Sequence, residues 1–417
     1  MTPTSTADAG TGAPAGGRHA VLAVLVAALG YFVDIYDLLL FAIIRVESLL
    51  DLGVAEADLL SEGVLLLNMQ MGGMLVGGIL WGVLGDRRGR LSVLFGSIAM
   101  YSIANIANGF VDSVGAYAVW RFIAGVGLAG ELGAGVTLVS EVLSKQARGY
   151  GAMIISAVGI MGAVVAVLVG DIFSWRIAYF VGGGMGIALL LLRIGVAESG
   201  MFQQTRQADV SHGDFFMLFR TAERRIRYVA VILIGLPMWY IVGILVTFSP
   251  EFGRAMGMTE IPVAGQAVMW CYMGASLGSL ACGTLSQVWR TRTGVVRLTM
   301  VAAAVFIALY FLVAGLSLPI FYGVCFLLGL SCGYWAVFVL MASELFGTNI
   351  RATAATTVPN FVRGSVVLVT MLFQWLTLSL GIQASAMVVG ALTLVIAFVA
   401  LSRIEDTYGK DLDYVER

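Results

Sequence analysis

The chain has 417 residues, 59% of them hydrophobic and only 12% charged, with a formal net charge of −1. A mean hydropathy of +0.94 excludes an ordinary soluble domain, and the near-neutral charge argues against nucleic acid as a partner. Runs of ~20 mostly apolar residues recur along almost the whole sequence, which defines an all-α integral membrane protein.

Residues 1–17 are rich in Thr, Ala, Gly and Pro and read as a disordered cytoplasmic tail. Twelve spans come after it, at 20–44, 63–84, 91–110, 114–142, 150–171, 175–196, 228–249, 263–287, 295–315, 319–344, 353–378 and 384–402. They divide into an N-terminal half (18–197) and a C-terminal half (228–403), joined by a polar, Arg-rich loop (198–227) and followed by a tail (404–417). The first interhelical stretch carries Glu47, Asp51, Glu56, Asp58 and Glu62, whereas Arg87, Arg88 and Arg90 come after the second span. Positive charge gathers on the cytoplasmic side, so the loop, the tail and both termini are expected in the cytoplasm.

The halves echo one another. Gly73 and Gly77 repeat at Gly274 and Gly278, and Ser140-Glu141 followed by Arg148 repeats at the same spacing as Ser343-Glu344 followed by Arg351. Two pseudo-symmetric six-helix halves around a central cavity are therefore expected, with the small-xxx-small pairs at close helix crossings. The charges are not repeated: Glu131 falls opposite Tyr334.

Five ionisable residues lie at bilayer depth, where each needs a partner or a cavity. Asp34 and Asp37, three residues apart in the first span, share one helix face and are candidate proton-coupling groups. Glu131 is a third. Arg121 lies ten residues before Glu131, ~15 Å along a helix axis and out of pairing range, so the first span is the natural partner for both. Arg121 could neutralise Asp34 or Asp37, or bind an anion. Arg363 comes soon after Pro359-Asn360, where a kink is expected, and is a candidate anion ligand or a cross-half partner of an acid. Tyr36, Tyr240, Asn360 and Gln374 are candidate substrate contacts, and Asn68, Gln70, Trp239, Tyr334 and Trp335 could line a cavity.

Cys271, Cys282, Cys325 and Cys332 lie in apolar runs without metal-ligand spacing, and the two histidines, His19 and His212, lie outside the spans. With no phosphate-binding loop either, neither enzymatic activity nor a cofactor or metal is expected. The expected partners are a small molecule, protons and the lipid bilayer, and the expected state is a monomer.

The turn Gly82-Val-Leu-Gly-Asp86-Arg87-Arg-Gly89-Arg90 resembles the signature between the second and third helices of the major facilitator superfamily. Glu141 with Arg148, and Glu344 with Arg351, resemble the charge pairs that family places after its fourth and tenth helices. The resemblance implies that these residues form a conformational latch. Asp34-Ile-Tyr-Asp37 and the Arg121 to Glu131 stretch resemble elements of its aromatic acid/proton, metabolite/proton and phosphate/proton symporters, although Ile35 and Ala129 stand where glycines are usual. This second resemblance implies proton-coupled symport of a small organic anion by alternating access across a cell inner membrane. A proton-driven exporter of drugs or of a siderophore-like metabolite would use the same carboxylates.

Overall fold

A segment crossing lipid has to satisfy its backbone polar groups internally, and this chain does so with helices. The computed structural model describes residues 17–88, 90–133, 148–198, 215–313, 316–347 and 350–410. The N-terminal half comprises α1 (Gly17–Asp51), α2 (Leu59–Arg88), α3 (Arg90–Asn108), α4 (Val114–Leu128), α5 (Arg148–Ile160), α6 (Gly162–Ile172) and α7 (Trp175–Glu198). The C-terminal half comprises α8 (Ala222–Ile234), α9 (Leu236–Tyr240), α10 (Ser249–Ala255), α11 (Ala264–Val288) and α12 (Thr293–Val313). It continues with α13 (Leu318–Cys332), α14 (Trp335–Glu344), α15 (Arg351–Gly364) and α16 (Val366–Leu401).

Among the described residues, nine helical stretches are long and apolar enough to cross a membrane. The longest, Thr353–Leu401, is two crossings divided at Gly381, whose φ of 75° interrupts the helix. The shorter α3 and α4 supply the others, which makes twelve spans. The seventh begins at Ala222, before the apolar run, because Thr221 caps it by accepting from the Arg224 amide. The expected loop at 198–227 therefore ends in helix.

The glycine echo is a packing echo. Gly73 and Gly77 of α2 lie against the Phe122 and Val126 carbonyls of α4, and Gly274 and Gly278 of α11 lie against the Phe326 and Leu330 carbonyls of α13. Any larger residue would force these backbones apart. The fourth and tenth spans also break at matching places, at Ala129-Gly130 and at Gly333.

The segment just beyond α16 is docked. Asp406 accepts hydrogen bonds from the Arg292 and Thr293 amides, each at 3.0 Å, at the start of α12, and from the Thr293 hydroxyl at 2.7 Å. Partial burial opposes ionisation of this carboxyl, but the hydrogen bonds prevail and hold its pKa at about 2. A depressed pKa contributes stability above the ordinary carboxylate value of about 3.9 that fades as pH falls towards about 2. Asp406→Ala is expected to cost about 1 kcal/mol at neutral pH, as other lost helix caps do. In thermal unfolding the gap between variant and parent should close on acidification; a gap that does not depend on pH contradicts this role.

Candidate functional site

Asp34 and Asp37 sit near the middle of α1, fully buried. Across the interface between the halves, Arg363 in the last turn of α15 donates from Nη2 to Asp34 Oδ2 at 3.3 Å. The guanidinium commits one nitrogen to this pair. Its Nε and Nη1 are buried without a hydrogen-bond partner within 3.5 Å, as is Asp34 Oδ1, and the Tyr31 hydroxyl stands beside the guanidinium. The Trp239 and Trp335 rings stand 5.9 and 6.0 Å from its central carbon. These indoles meet edge to face at 6.4 Å, and Trp335 donates to the Tyr31 hydroxyl at 3.0 Å. A narrow cleft beside them is lined by Tyr31, Leu132 and Ile155 from one half and by Trp335 and Val339 from the other.

Local irregularity in the backbone builds this corner. Trp239 lies between Pro237 and a π-helical turn at Ile241–Val246, Trp335 comes just after the break at Gly333, and Arg363 precedes the break at Ser365. Pro359, where the sequence predicts a kink, lies inside α15, and the helix continues through it for another turn. Interrupted helices expose backbone and re-aim side chains, a common feature of ligand sites in membranes.

Contacts between the halves close both ends. At one end Arg45 of α1 donates to both carboxylate oxygens of Glu251 in α10, at 2.7 and 3.0 Å, and to the Leu59 carbonyl at 3.0 Å. At the other, Asn360 donates to the Ala129 carbonyl at 2.7 Å, and Gly82 of α2 lies against Thr353 and Thr357 of α15. Asp34 and Arg363 are at most 1% exposed, so this arrangement admits nothing from either side.

The other expected residues have varied surroundings. Arg121 donates to the Gln70 side-chain oxygen of α2 and to the Tyr179 hydroxyl of α7 at 3.4 Å, and lies 5.0 Å from the Phe41 ring centre, so its hydrogen-bond partners come from α2 and α7 and not from α1. Glu131 does not find its partner on α1 either. Arg193 of α7 holds it with two nitrogens, one at 3.0 Å, and Gly30 supplies the gap in which the pair fits. Tyr36 donates to the Ala178 carbonyl at 2.9 Å and Tyr240 to the Ala386 carbonyl at 2.6 Å, so both hydroxyls tie helices together. Gln374 is half-buried eleven residues beyond Arg363, ~16 Å along the helix axis, and the fold does not bring the two to one small ligand.

Glu344 bonds Arg292 at 3.3 Å and accepts from Thr407 at 2.7 Å, while Arg351 donates to the Ser343 carbonyl at 3.2 Å. Of the other expected latch residues, Gly89 and Glu141 lie outside the described residues, as do the side chains of Asp86, Arg87, Arg90 and Arg148.

Sequence reasoning missed Arg45, Arg193 and Tyr31. Arg193 interrupts the run Leu189-Leu-Leu-Leu-Arg193-Ile, and Arg45 comes directly after Phe41-Ala-Ile-Ile; near a span end, both read as interfacial anchors.

A model of the Major Facilitator Superfamily matches residues 20–361. The chain belongs to this superfamily of membrane transporters. It is 25% identical over 337 residues to a probable 4-methylmuconolactone transporter of Cupriavidus pinatubonensis, covering 78% of this chain and 76% of that one. It is 24% identical over 418 residues to a gentisate transporter of Corynebacterium glutamicum, covering 93% and 88%. The solved structure of a proton:xylose symporter of the same superfamily superposes with a TM-score of 0.69 over 95% of this chain and 98% of that one, at 15% identity, a likeness of fold.

Proposed function

We propose that the protein carries a small organic anion, a ring-bearing carboxylate, into the cell with protons by alternating access of its two halves. The observation that carries this reading is Arg363: a buried guanidinium with no hydrogen-bond partner within 3.5 Å of Nε and Nη1, beside two indoles. The two free nitrogens flank Nη2, so once Asp34 releases Nη2 either of them forms with it a two-pronged edge that matches the two oxygens of a carboxylate, and the indoles offer flat apolar surface for a ring. The names of the relatives agree with it, since gentisate is an aromatic carboxylate and 4-methylmuconolactone a carboxylate-bearing lactone.

Coupling arises from the Asp34 to Arg363 pair. Protonation of Asp34 removes the counter-charge and frees the guanidinium for substrate; deprotonation restores the pair and displaces the substrate. Asp37, one turn further along α1 with no hydrogen-bond partner within 3.5 Å of its carboxylate and the Asn105 amide just beyond, is the second proton carrier. Glu131, held by Arg193, serves through that pair in the N-terminal half. Tyr31 and both indoles line the ring pocket, and Asn360 keeps the halves together while the site is closed. Gly82, Asp86, Arg87, Gly89 and Arg90, with Glu141 and Arg148 and with Glu344 and Arg351, act as the latch released during exchange. The protein works as a monomer in the cell inner membrane, both termini cytoplasmic.

The test is tryptophan fluorescence and thermal stabilisation of the purified protein with benzoate-type carboxylates, their neutral amides, phosphate and sugars. Stabilisation by the carboxylates alone is expected; equal response to the amides overturns the anion reading. In proteoliposomes, Asp37→Asn is expected to lose accumulation driven by a pH gradient while keeping substrate exchange, because exchange moves no net proton. Undiminished accumulation removes Asp37 from the coupling mechanism.

A further inference from the structure

A set of buried polar groups inside the N-terminal half plays no part in the substrate site. Along one face of α3, Tyr101, Ser102, Asn105 and Asn108 are at most 1% exposed. The hydroxyls of Tyr101 and Ser102 and both amide atoms of Asn108 have no hydrogen-bond partner, and Asn105 and Asp37 have no partner within 3.5 Å and only each other just beyond it. Native interiors rarely leave so many polar atoms in one place unsatisfied, and where they do the usual occupant is ordered water. The groups are also in sequence. Ser102, Asn105 and Asn108 recur every three residues over ~9 Å of helix, from mid-span to the end of α3 that precedes the exposed Asp112 loop.

Two further helices converge on this line. Gly182 of α7 leaves its side-chain position to Asp37 Oδ1, and Gly186, one turn on, leaves its own to Ser102 Oγ and the Tyr101 ring. The Asn105 amide stands beside Asp37, and the Tyr101 hydroxyl is within electrostatic reach of both Asp37 and Glu131. The charged groups facing Asp37 are Asp34 on its own helix and Arg121 from α4, with the phenols of Tyr36, Tyr101 and Tyr179 around them.

We infer that Asn108, Asn105, Ser102 and Tyr101 form a hydrated proton-access track within the N-terminal half, running from the outer end of α3 to Asp37 and on towards Glu131, separate from the cleft where substrate binds. The inference rests on the proposal of proton-coupled transport. Side-chain amides and hydroxyls can each donate and accept, so they can hold a file of water across an otherwise apolar interior. A hydronium ion arriving along that file passes one proton to an Asp37 oxygen and remains as water. Separate entry lets Asp37 load its proton while the halves are closed over the substrate site.

The experiment uses the full-length protein in proteoliposomes. Asn105→Leu and Asn108→Leu replace amides with apolar groups of similar size and dry the track without touching Arg363 or the indoles. Each is expected to lower accumulation driven by a pH gradient by about ten-fold and to displace its pH profile, while substrate exchange stays within about two-fold of the parent. Parent-like accumulation and pH profile in both variants overturns the track and leaves the coupling reading intact; a parent that ignores the pH gradient overturns the coupling reading itself. Hydroxyl-radical footprinting of the parent tests the same idea without any variant. Oxidation at the buried Tyr101, generated from water held beside it, supports the track, and a silent Tyr101 overturns it.

Discussion

Arg363→Ala combined with Asp34→Asn is expected to bind no organic anion, while the fold is retained. The double change is needed because removing the arginine alone leaves the fully buried Asp34 without its counter-charge, and breaking a buried pair from one side costs about 3–5 kcal/mol. Replacing both leaves only neutral groups, so unfolding no longer competes with the effect on binding. Arg363→Lys separates charge from geometry. Lysine keeps the charge but cannot present two parallel N–H groups, and losing one charge-assisted hydrogen bond at about 1.5–3 kcal/mol weakens binding by roughly ten- to a hundred-fold. Binding measured by thermal stabilisation decides the matter. Parent-like affinity in the double variant would place the anion elsewhere, and parent-like affinity in Arg363→Lys would mean that the arginine contributes charge alone.

The second large effect is expected at the closed end where Arg45 meets Glu251. Arg45 is fully buried, bonded to both oxygens of Glu251, and packed 4.8 Å from the Phe248 ring centre, with Gly63 giving it room. Glu251 is 11% exposed, so water hardly screens the pair. Because the contact bridges the two halves, it exists only while this end is shut. Glu251→Gln leaves a buried guanidinium without its counter-charge and should disfavour the shut state by about 3–5 kcal/mol, a population shift of roughly a hundred-fold or more. Spin-label distances between α1 and α10 at this end are then expected to lengthen, and thiols introduced near Tyr31 should become reactive to reagents added on this side of the membrane. Exchanging the charges, Arg45→Glu with Glu251→Arg, is expected to restore part of the closure. A distance distribution unchanged by Glu251→Gln rules out the pair as a gate.

These two sites mark where sequence reading reaches its limit. The twelve spans are legible because ~20 apolar residues in lipid have almost no conformational choice but a helix, and the break at Gly381 falls between two predicted runs. The likeness of the halves is legible for the same kind of reason: Gly73 and Gly77, like Gly274 and Gly278, mark backbone contact wherever small residues recur one turn apart. The cost of charge in a bilayer also singles out Asp34, Asp37, Arg121, Glu131 and Arg363 without any coordinates. Partnership is another matter. That cost says each buried charge needs a partner but not which one, since the choice depends on which helix faces which and at what depth. Only the packed bundle gives Glu131 to Arg193 across 62 positions, Asp34 to Arg363 across 329 and Arg45 to Glu251 across 206. The indoles beside Arg363 likewise come from spans broken at Pro237 and at Gly333, and how a break aims a side chain depends on the neighbours that fill the space around it.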